Sequence, residues 1–351
     1  MAGLSTGVAL PLEAPVAEVL EHAAEAERLG YDAVWANDDR LQHDVMSVLA
    51  AIAQRTESVQ LGPGVTNPYS RHPALIATAA ATLDELSGGR ARIGLGAGGT
   101  NHRALGVERT APAAALREAV LLIRGLLAGE TVTVDGRVVR ARDARLDFTP
   151  ARAEIPIYIG SRGPRVLELA GEIADGVIVG NLASPEGWAY AVGRVDAGAA
   201  RASRDPASIR LCAWLYTSIA DDAEAAAAAI APMVATSLVT SRPILAELGI
   251  EMPGAFADVM ARHDWSLDAR VVEEAAPMLP PEVVEAFGLA GTPEDCRRRL
   301  DALLRSFPRI SEVTIVPFPA AGEDTATTIA RFAEQVAPQP VAGTAPGRSR
   351  G

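Results

Sequence analysis

The sequence predicts an α/β fold, a (β/α)8 TIM barrel with a mostly helical insertion late in the chain. Three observations carry this. Short apolar runs alternate with amphipathic stretches at spacings of roughly 25 to 35 residues, the pattern of a parallel sheet with helical crossovers. Eight such runs occur, enough to close a barrel. The 351 residues and 49% hydrophobic content supply a substantial core. An open doubly wound sheet is the alternative.

Each element has its own warrant. Thr6 to Leu10 reads as a strand. Residues 15–29 follow as a helix, with Val16, Val19, Leu20, Ala23, Ala26 and Leu29 at helical spacing and Gly30 as its stop. Tyr31 to Ala36 is a second strand, before a helix over 44–55. Val59 to Gly64 and the helix over 73–86 form the third unit, with Pro73 suited to a first helical turn. Arg90 to Gly96 and the helix over 112–128 form the fourth. Thr131 to Val139 reads as a hairpin turning at Asp135-Gly136. Ile155 to Gly160, Asp175 to Val179 and Ile209 to Ile219 are further strands, the first two followed by helices over 164–173 and 186–203. Residues 221–304 are mostly helical and longer than one crossover needs, so they hold an insertion, its body at 221–290. Glu312 to Pro317 is the eighth strand and a helix over 323–336 closes the barrel. The expected organisation is one domain over 1–336, then a disordered tail over 337–351 rich in Pro, Gly, Ala and Arg.

The net charge of -12, from 44 acidic and 32 basic residues, argues against a nucleic-acid binder, which needs a basic face. There is no lysine, so every basic residue is arginine, and local arginines remain able to hold an anionic ligand. The two cysteines, Cys212 and Cys296, match no metal or disulfide spacing, so no metal is expected. No basic region precedes an apolar run at the N-terminus, and no unbroken apolar run reaches the ~18 residues of a membrane span. The expectation is a cytoplasmic protein with reduced thiols, no membrane partner and a small-molecule substrate, assembled as a homo-oligomer, a dimer.

In a barrel the site lies at the C-terminal strand ends. The stretch Leu61 to Pro73 is the most polar of these, with Thr66, Asn67, Tyr69, Ser70, Arg71 and His72 in one connection. Glycine recurs at the ends that read Gly64-Val65-Thr66-Asn67, Gly96-Ala97-Gly98-Gly99, Gly160-Ser161-Arg162-Gly163 and Gly180-Asn181, a pattern expected to leave floor space for a planar ring. Gly160 to Pro164 precedes a helix, where free N–H groups beside Ser161 and Arg162 suit a phosphate; a plain glycine turn is the alternative. Gly94, Gly96 and Gly99 fit a dinucleotide fingerprint but sit in the fourth unit and open no clear helix, so that reading is set aside. Asp38 and Asp39 end the second strand, with helix capping as the alternative role. His72 and His102 lie on strand-to-helix loops.

Several stretches, in this order across most of the chain, resemble the luciferase-like superfamily of flavin and deazaflavin enzymes. They are Gly30 to Trp35 leading to Asp38, Leu61 to Pro73, Leu83 to Ala91 running on to Gly94–Gly98, Ile155 to Pro164, Leu167 to Gly176, and Gly291 to Cys296. Within it the chain is similar to the coenzyme F420 branch that includes methylenetetrahydromethanopterin reductase. The resemblance implies a TIM barrel, an F420-dependent oxidoreductase and a hydride transfer that reduces a C=C or C=N bond. An FMN-dependent monooxygenase and a non-catalytic cofactor-binding member are the alternatives. It implies a cofactor across the strand ends, held by Asp38, Gly64, Val65, Thr66, Asn67, Gly96, Ala97, Gly98, Gly160, Ser161, Arg162, Gly163 and Asn181. It also implies a non-prolyl cis bond at Gly64-Val65 and a phosphate seat around Gly163. The chain departs from that pattern at three places. A glutamate of the methylenetetrahydromethanopterin reducers is matched by Ala9, one of the glucose 6-phosphate oxidisers by Gly99, and a histidine common in the family by Asp39. Asp39 is then the first candidate for a proton donor, ahead of Asp38, Tyr69 and His102.

Overall fold

A computed structural model describes residues 4–39, 41–98 and 104–338. His102, Gly99 and the tail beyond residue 338 lie outside the described residues.

The alternation read from the sequence is present. Its first half runs β1 (Ser5–Leu10), α1 (Val16–Arg28), β2 (Ala33–Ala36), α2 (Val45–Arg55), β3 (Gln60–Pro63), α3 (Pro73–Ser87), β4 (Ile93–Gly96) and α4 (Pro112–Leu127). A hairpin of β5 (Val132–Asp135) and β6 (Arg140–Ala144) follows. Then come β7 (Ile157–Ser161), α5 (Pro164–Ile173), β8 (Gly176–Gly180), α6 (Pro185–Arg201) and β9 (Arg210–Ile219). An excursion holds α7 (Ala223–Thr240), α8 (Gly254–Arg262), α9 (Ala269–Ala275) and α10 (Pro281–Phe287). The chain ends with β10 (Gly288–Gly291), α11 (Pro293–Ser306), β11 (Ile310–Pro317) and α12 (Thr325–Arg331).

Eight parallel strands pair in the order β3-β2-β1-β11-β9-β8-β7-β4. The barrel closes between β3 and β4 through bridges rather than a ladder, Leu61 to Ala91 and Thr66 to Leu95. The Thr66 N–H donates to the Gly94 carbonyl at 2.9 Å and the Gly96 N–H to the Thr66 carbonyl at 2.8 Å. Close approach at this seam depends on glycine: a Cβ at Gly94 would collide with the Pro63 carbonyl, and one at Gly62 with the Arg92 carbonyl.

The stretch from Leu83 to Ala91 secures the lower end of the seam. Asp84, fully buried, accepts from Arg152 Nε at 2.9 Å and from the Ala91 N–H at 3.2 Å. Arg90 donates to the carbonyls of Ala53, Thr56, Val59 and Ser87. Carbonyls that no helix or ladder satisfies are thus satisfied by one guanidinium, which presents five donors.

Two elements differ from the sequence reading. The second arm of the hairpin begins at Arg140, because the Glu118 carboxylate on α4 accepts the N–H groups of Arg137, Val138 and Val139 and holds them as a loop. The late excursion also contains a strand, β10, parallel to β9 from Tyr216 to Ile219. Helix α7 is long and apolar enough to cross a membrane by length and composition, yet it carries Pro232 and packs against β9, β10 and α10.

Candidate active site

The C-terminal strand ends converge on one mouth. At its centre stands the Gly64-Val65 peptide, which is cis as the resemblance implied. The glycines around it do not leave an open floor. Val65 fills that space: a Cβ added at Gly96 would lie 2.5 Å from Val65 Cγ2, and one at Gly160 3.1 Å from Cγ1. Gly94 makes room for the same side chain. The expected floor is therefore a valine lodged over three glycines. Beneath it, Trp35 and Trp214 meet edge to face at 5.9 Å, and a Cβ at Gly64 would strike Trp214.

Around this ledge, three buried oxygens complete no hydrogen bond among the described residues. Asn37 Oδ1 ends β2, Thr66 Oγ1 follows the ledge, and Asn181 Oδ1 follows β8. Trp214 Nε1 likewise has no partner among the described residues. Buried polar atoms in native proteins are nearly always satisfied, so a ring of orphans at a barrel mouth marks where a ligand's polar atoms belong.

Asp38 sits beside Asn37, half-buried. Burial pushes its carboxyl above the usual aspartate range, and the nearby charges of Asp44 and Asp39 add to this. Thr66 and Arg71 pull the other way. Thr66 Oγ1 comes close enough to favour the anion, yet completes no hydrogen bond of ordinary geometry. Arg71 is itself committed to Asp44 at 2.6 Å, and Asp44 caps α2 through the Ser47 N–H. Asp39 follows at the same strand end and acts on Asp38 through its charge.

The loop after the ledge is largely self-supporting. Asn67 Oδ1 accepts the N–H groups of Tyr69 and Ser70 at 3.0 and 2.9 Å, and its Nδ2 donates to Ser70 Oγ, so its side chain builds the turn. The Tyr69 hydroxyl donates to the Thr110 carbonyl at 2.7 Å, tying this loop to the segment before α4. His72 caps α3, accepting from the Ala74 N–H, while its Nε2 donates to the Arg140 carbonyl at 3.0 Å. Both rings are thereby engaged in structure.

Across the mouth, β7 ends at Ser161, whose hydroxyl accepts the Gly163 N–H at 2.9 Å. Gly163 has φ -72°, which any residue adopts, and a Cβ there would meet only Ser161 Oγ, at 3.6 Å. The fold itself does not require glycine at this position. Arg162 donates to Ser237 Oγ at 3.0 Å and Thr240 Oγ1 at 2.9 Å, both on α7. Burial pushes its guanidinium below the usual range, with Tyr216 opposing, and no carboxylate among the described residues is paired with it. The Asn181 N–H donates to the Trp214 carbonyl at 2.7 Å, with φ 57° placing it in the left-handed region. Among the described residues no His, Cys, Asp or Glu cluster is arranged to hold a metal ion.

Sequence reasoning named Thr66, Asn181 and Arg162 but missed Asn37, Trp214 and the α7 hydroxyls. Trp214 had a signal: Cys212, Trp214, Tyr216 and Ser218 alternate along one strand, a polar-bearing inward face. The α7 hydroxyls had none, because their partner lies about 75 residues away, a separation no local pattern encodes.

The mouth is thus apolar at its centre, ringed by unused acceptors, acidic on one side and cationic on the other. Chains of similar sequence share its frame. A 5,10-methylenetetrahydromethanopterin reductase of Methanolobus tindarius is 38% identical over 296 residues, covering 83% of this chain and 87% of that one. One from Archaeoglobus fulgidus is 33% identical over 322 residues, covering 90% and 93%. The solved coenzyme F420 dependent tetrahydromethanopterin reductase of Methanopyrus kandleri superposes with a TM-score of 0.83 at 29% identity, covering 95% of this chain and 99% of that one. The family model described as luciferase-like monooxygenase matches residues 2–308, and with that span, this barrel and these relatives the chain belongs to the luciferase-like family.

Proposed function

We propose that the chain is an F420-dependent oxidoreductase that moves a hydride between deazaflavin and a small organic substrate, in the direction of reducing a C=C or C=N bond. One observation carries the reading. Asn37, Thr66 and Asn181 present buried oxygens that complete no hydrogen bond at the mouth among the described residues, while across it Arg162 is bound, among those residues, by neutral oxygens. Such a set fits a ring with polar edges joined to an anionic tail. Similarity to the F420 dependent reductase of Methanopyrus kandleri supports the choice of cofactor.

Val65, Thr66, Gly96, Ala97 and Gly98 would hold the ring, with Asn37 and Asp38 at its edge; Ser161, Arg162, Gly163 and Asn181 would hold the phosphate. When bound, F420 supplies hydride carriage, chemistry that belongs to the cofactor. The protein's own part is to exclude water, present one face and manage a proton. We place Asp38 ahead of Asp39 for that last task, because burial raises its pKa and favours the protonated form. The acid is available below the raised pKa and is lost as pH rises through it.

Ala9, which the resemblance matches to a glutamate of the methylenetetrahydromethanopterin reducers, is fully buried, in register with Trp35. It carries no proton, so the donor in this chain is sought elsewhere. A homodimer also belongs to this proposal, supported by Leu75 and Leu86, 60% and 45% exposed on one face of α3. Light scattering checks it, and a monomeric mass contradicts it.

The cofactor assignment is tested by a ligand series. Arg162→Gln is expected to weaken F420 about tenfold, a loss of about 1.4 kcal/mol, while leaving the dephosphorylated deazaflavin unaffected. Equal losses for both ligands contradict a phosphate role for Arg162.

A further inference from the structure

Below the ledge lies a group the mechanism above does not use. Glu312 on β11 is fully buried inside the barrel. It accepts from Trp35 Nε1 at 3.0 Å, Thr314 Oγ1 at 3.0 Å, Cys212 Sγ at 3.3 Å and Arg92 Nη1 at 2.5 Å. Arg92 is 4% exposed, and its guanidinium lies 5.5 Å from the Trp35 ring and 5.4 Å from the Tyr158 ring. Tyr158 meets Trp35 edge to face at 5.4 Å. A Cβ at Gly7 would lie 2.5 Å from Thr314 Oγ1 and 3.3 Å from Glu312 Oε1, so β1 is pared back to admit the cluster.

A buried ion pair is a poor device for stability alone, because desolvation offsets most of its attraction. Burial pushes Glu312 up, yet Arg92 and the other donors outweigh it and hold the carboxyl below the usual range. The pair is therefore a fixed charge, and what it fixes is Trp35. The indole reaches down to Glu312 through its N–H and lies against Arg92 with its face. Above, Trp35 Cβ would be 3.0 Å from a Cβ on Gly64, and Trp35 Cζ3 3.2 Å from one on Gly94. Trp35 thus touches the ion pair and also lies against the two glycines framing the ledge. It also sits two residues before Asn37 and three before Asp38.

We propose that Glu312 and Arg92 are positioning residues that set the height of the Gly64-Val65 ledge, and with it the cofactor ring, by locking the Trp35 indole between them. This rests on the reading that Val65 backs the ring. The proton-bearing side chain is set by the same lock, because Asp38 continues the strand that Trp35 anchors. Rigid support beneath a site is what holds reacting groups within tolerance.

The test begins without cofactor, so that it stands even if F420 is the wrong ligand. In Glu312→Gln, which keeps shape and removes charge, amide exchange is compared between the ledge and a control strand. The ledge amides are Gly64, whose N–H donates to Ala36 at 2.7 Å, and Thr66. Their exchange is expected to quicken by about tenfold, while the amides of β8 stay within about twofold of wild type. F420 binding, read by fluorescence, is then expected to weaken by about fivefold or more in the same folded protein. Uniform acceleration across ledge and control overturns the proposal, as does an unchanged ledge. Should Glu312→Gln fail to fold, Trp35→Phe decides by the same two readouts, since it keeps an aromatic ring while removing the donor to Glu312 and part of the indole's bulk. Wild type that ignores F420 contradicts the cofactor reading alone, and the exchange comparison still judges the lock.

Discussion

At the scale of single residues, the proposed chemistry concentrates on Asp38 and on Arg162 across the mouth. Asp38→Asn is expected to leave F420 affinity within about threefold and to cut turnover by about a hundredfold or more, the range of a lost general acid. The same change is expected to leave the melting temperature at neutral pH equal or higher. The sign follows from linkage: a carboxyl whose folded pKa is raised carries a desolvated charge above that pKa, and the neutral amide relieves it. The activity profile should fall as pH rises through the raised pKa in wild type and lose that limb in the variant. Turnover unchanged in Asp38→Asn moves the proton to Asp39, the substrate or water. Gly163→Val is expected to weaken cofactor binding with little change in melting temperature, because the backbone there suits any residue and only a ligand would claim the space. The residue scale is also where the sequence was least legible. Thr66 and Arg162 were found because strand ends are known in advance to line a barrel mouth. Tyr69 and His72 looked chemical from sequence, yet their ring atoms are spent on the Thr110 and Arg140 carbonyls, partners set by tertiary packing.

At the scale of elements, periodicity located the barrel strands and the helices outside the late excursion, and the misses have physical causes. Gly-Leu-Ala-Gly at β10 is four residues with two glycines, too short to alternate and too flexible to read as a strand. The hairpin arm was displaced because a carboxylate from another helix claimed three of its amides. That claim is testable. Glu118→Ala leaves the N–H groups of Arg137, Val138 and Val139 without their acceptor and should cost about 1–3 kcal/mol. Accelerated exchange should be confined to the hairpin. A melting temperature unchanged from wild type contradicts the capping role.

For the whole molecule, the eight-strand count and the glycine-ended strands made the barrel legible, because a closed parallel sheet leaves few other arrangements for eight alternating units. What the sequence could not convey is how the barrel closes: two bridges flanking a valine-filled ledge, made possible by backbone packed on backbone. Gly94→Ala places a methyl group against the Pro63 carbonyl and is expected to destabilise by about 3 kcal/mol or more, opening the seam between β3 and β4. Retained stability would mean the seam has more slack than its packing allows. The ledge, the oxygens without partners among the described residues and the arginine held there by neutral oxygens support one claim, that this mouth is shaped for a deazaflavin carrying an anionic tail. Parallel fluorescence titrations of the purified protein with F420 and with FMN test it most directly. F420 is expected to bind at least about tenfold more tightly, about 1.4 kcal/mol; FMN binding as tight or tighter would contradict it and turn the same barrel toward flavin oxygenation.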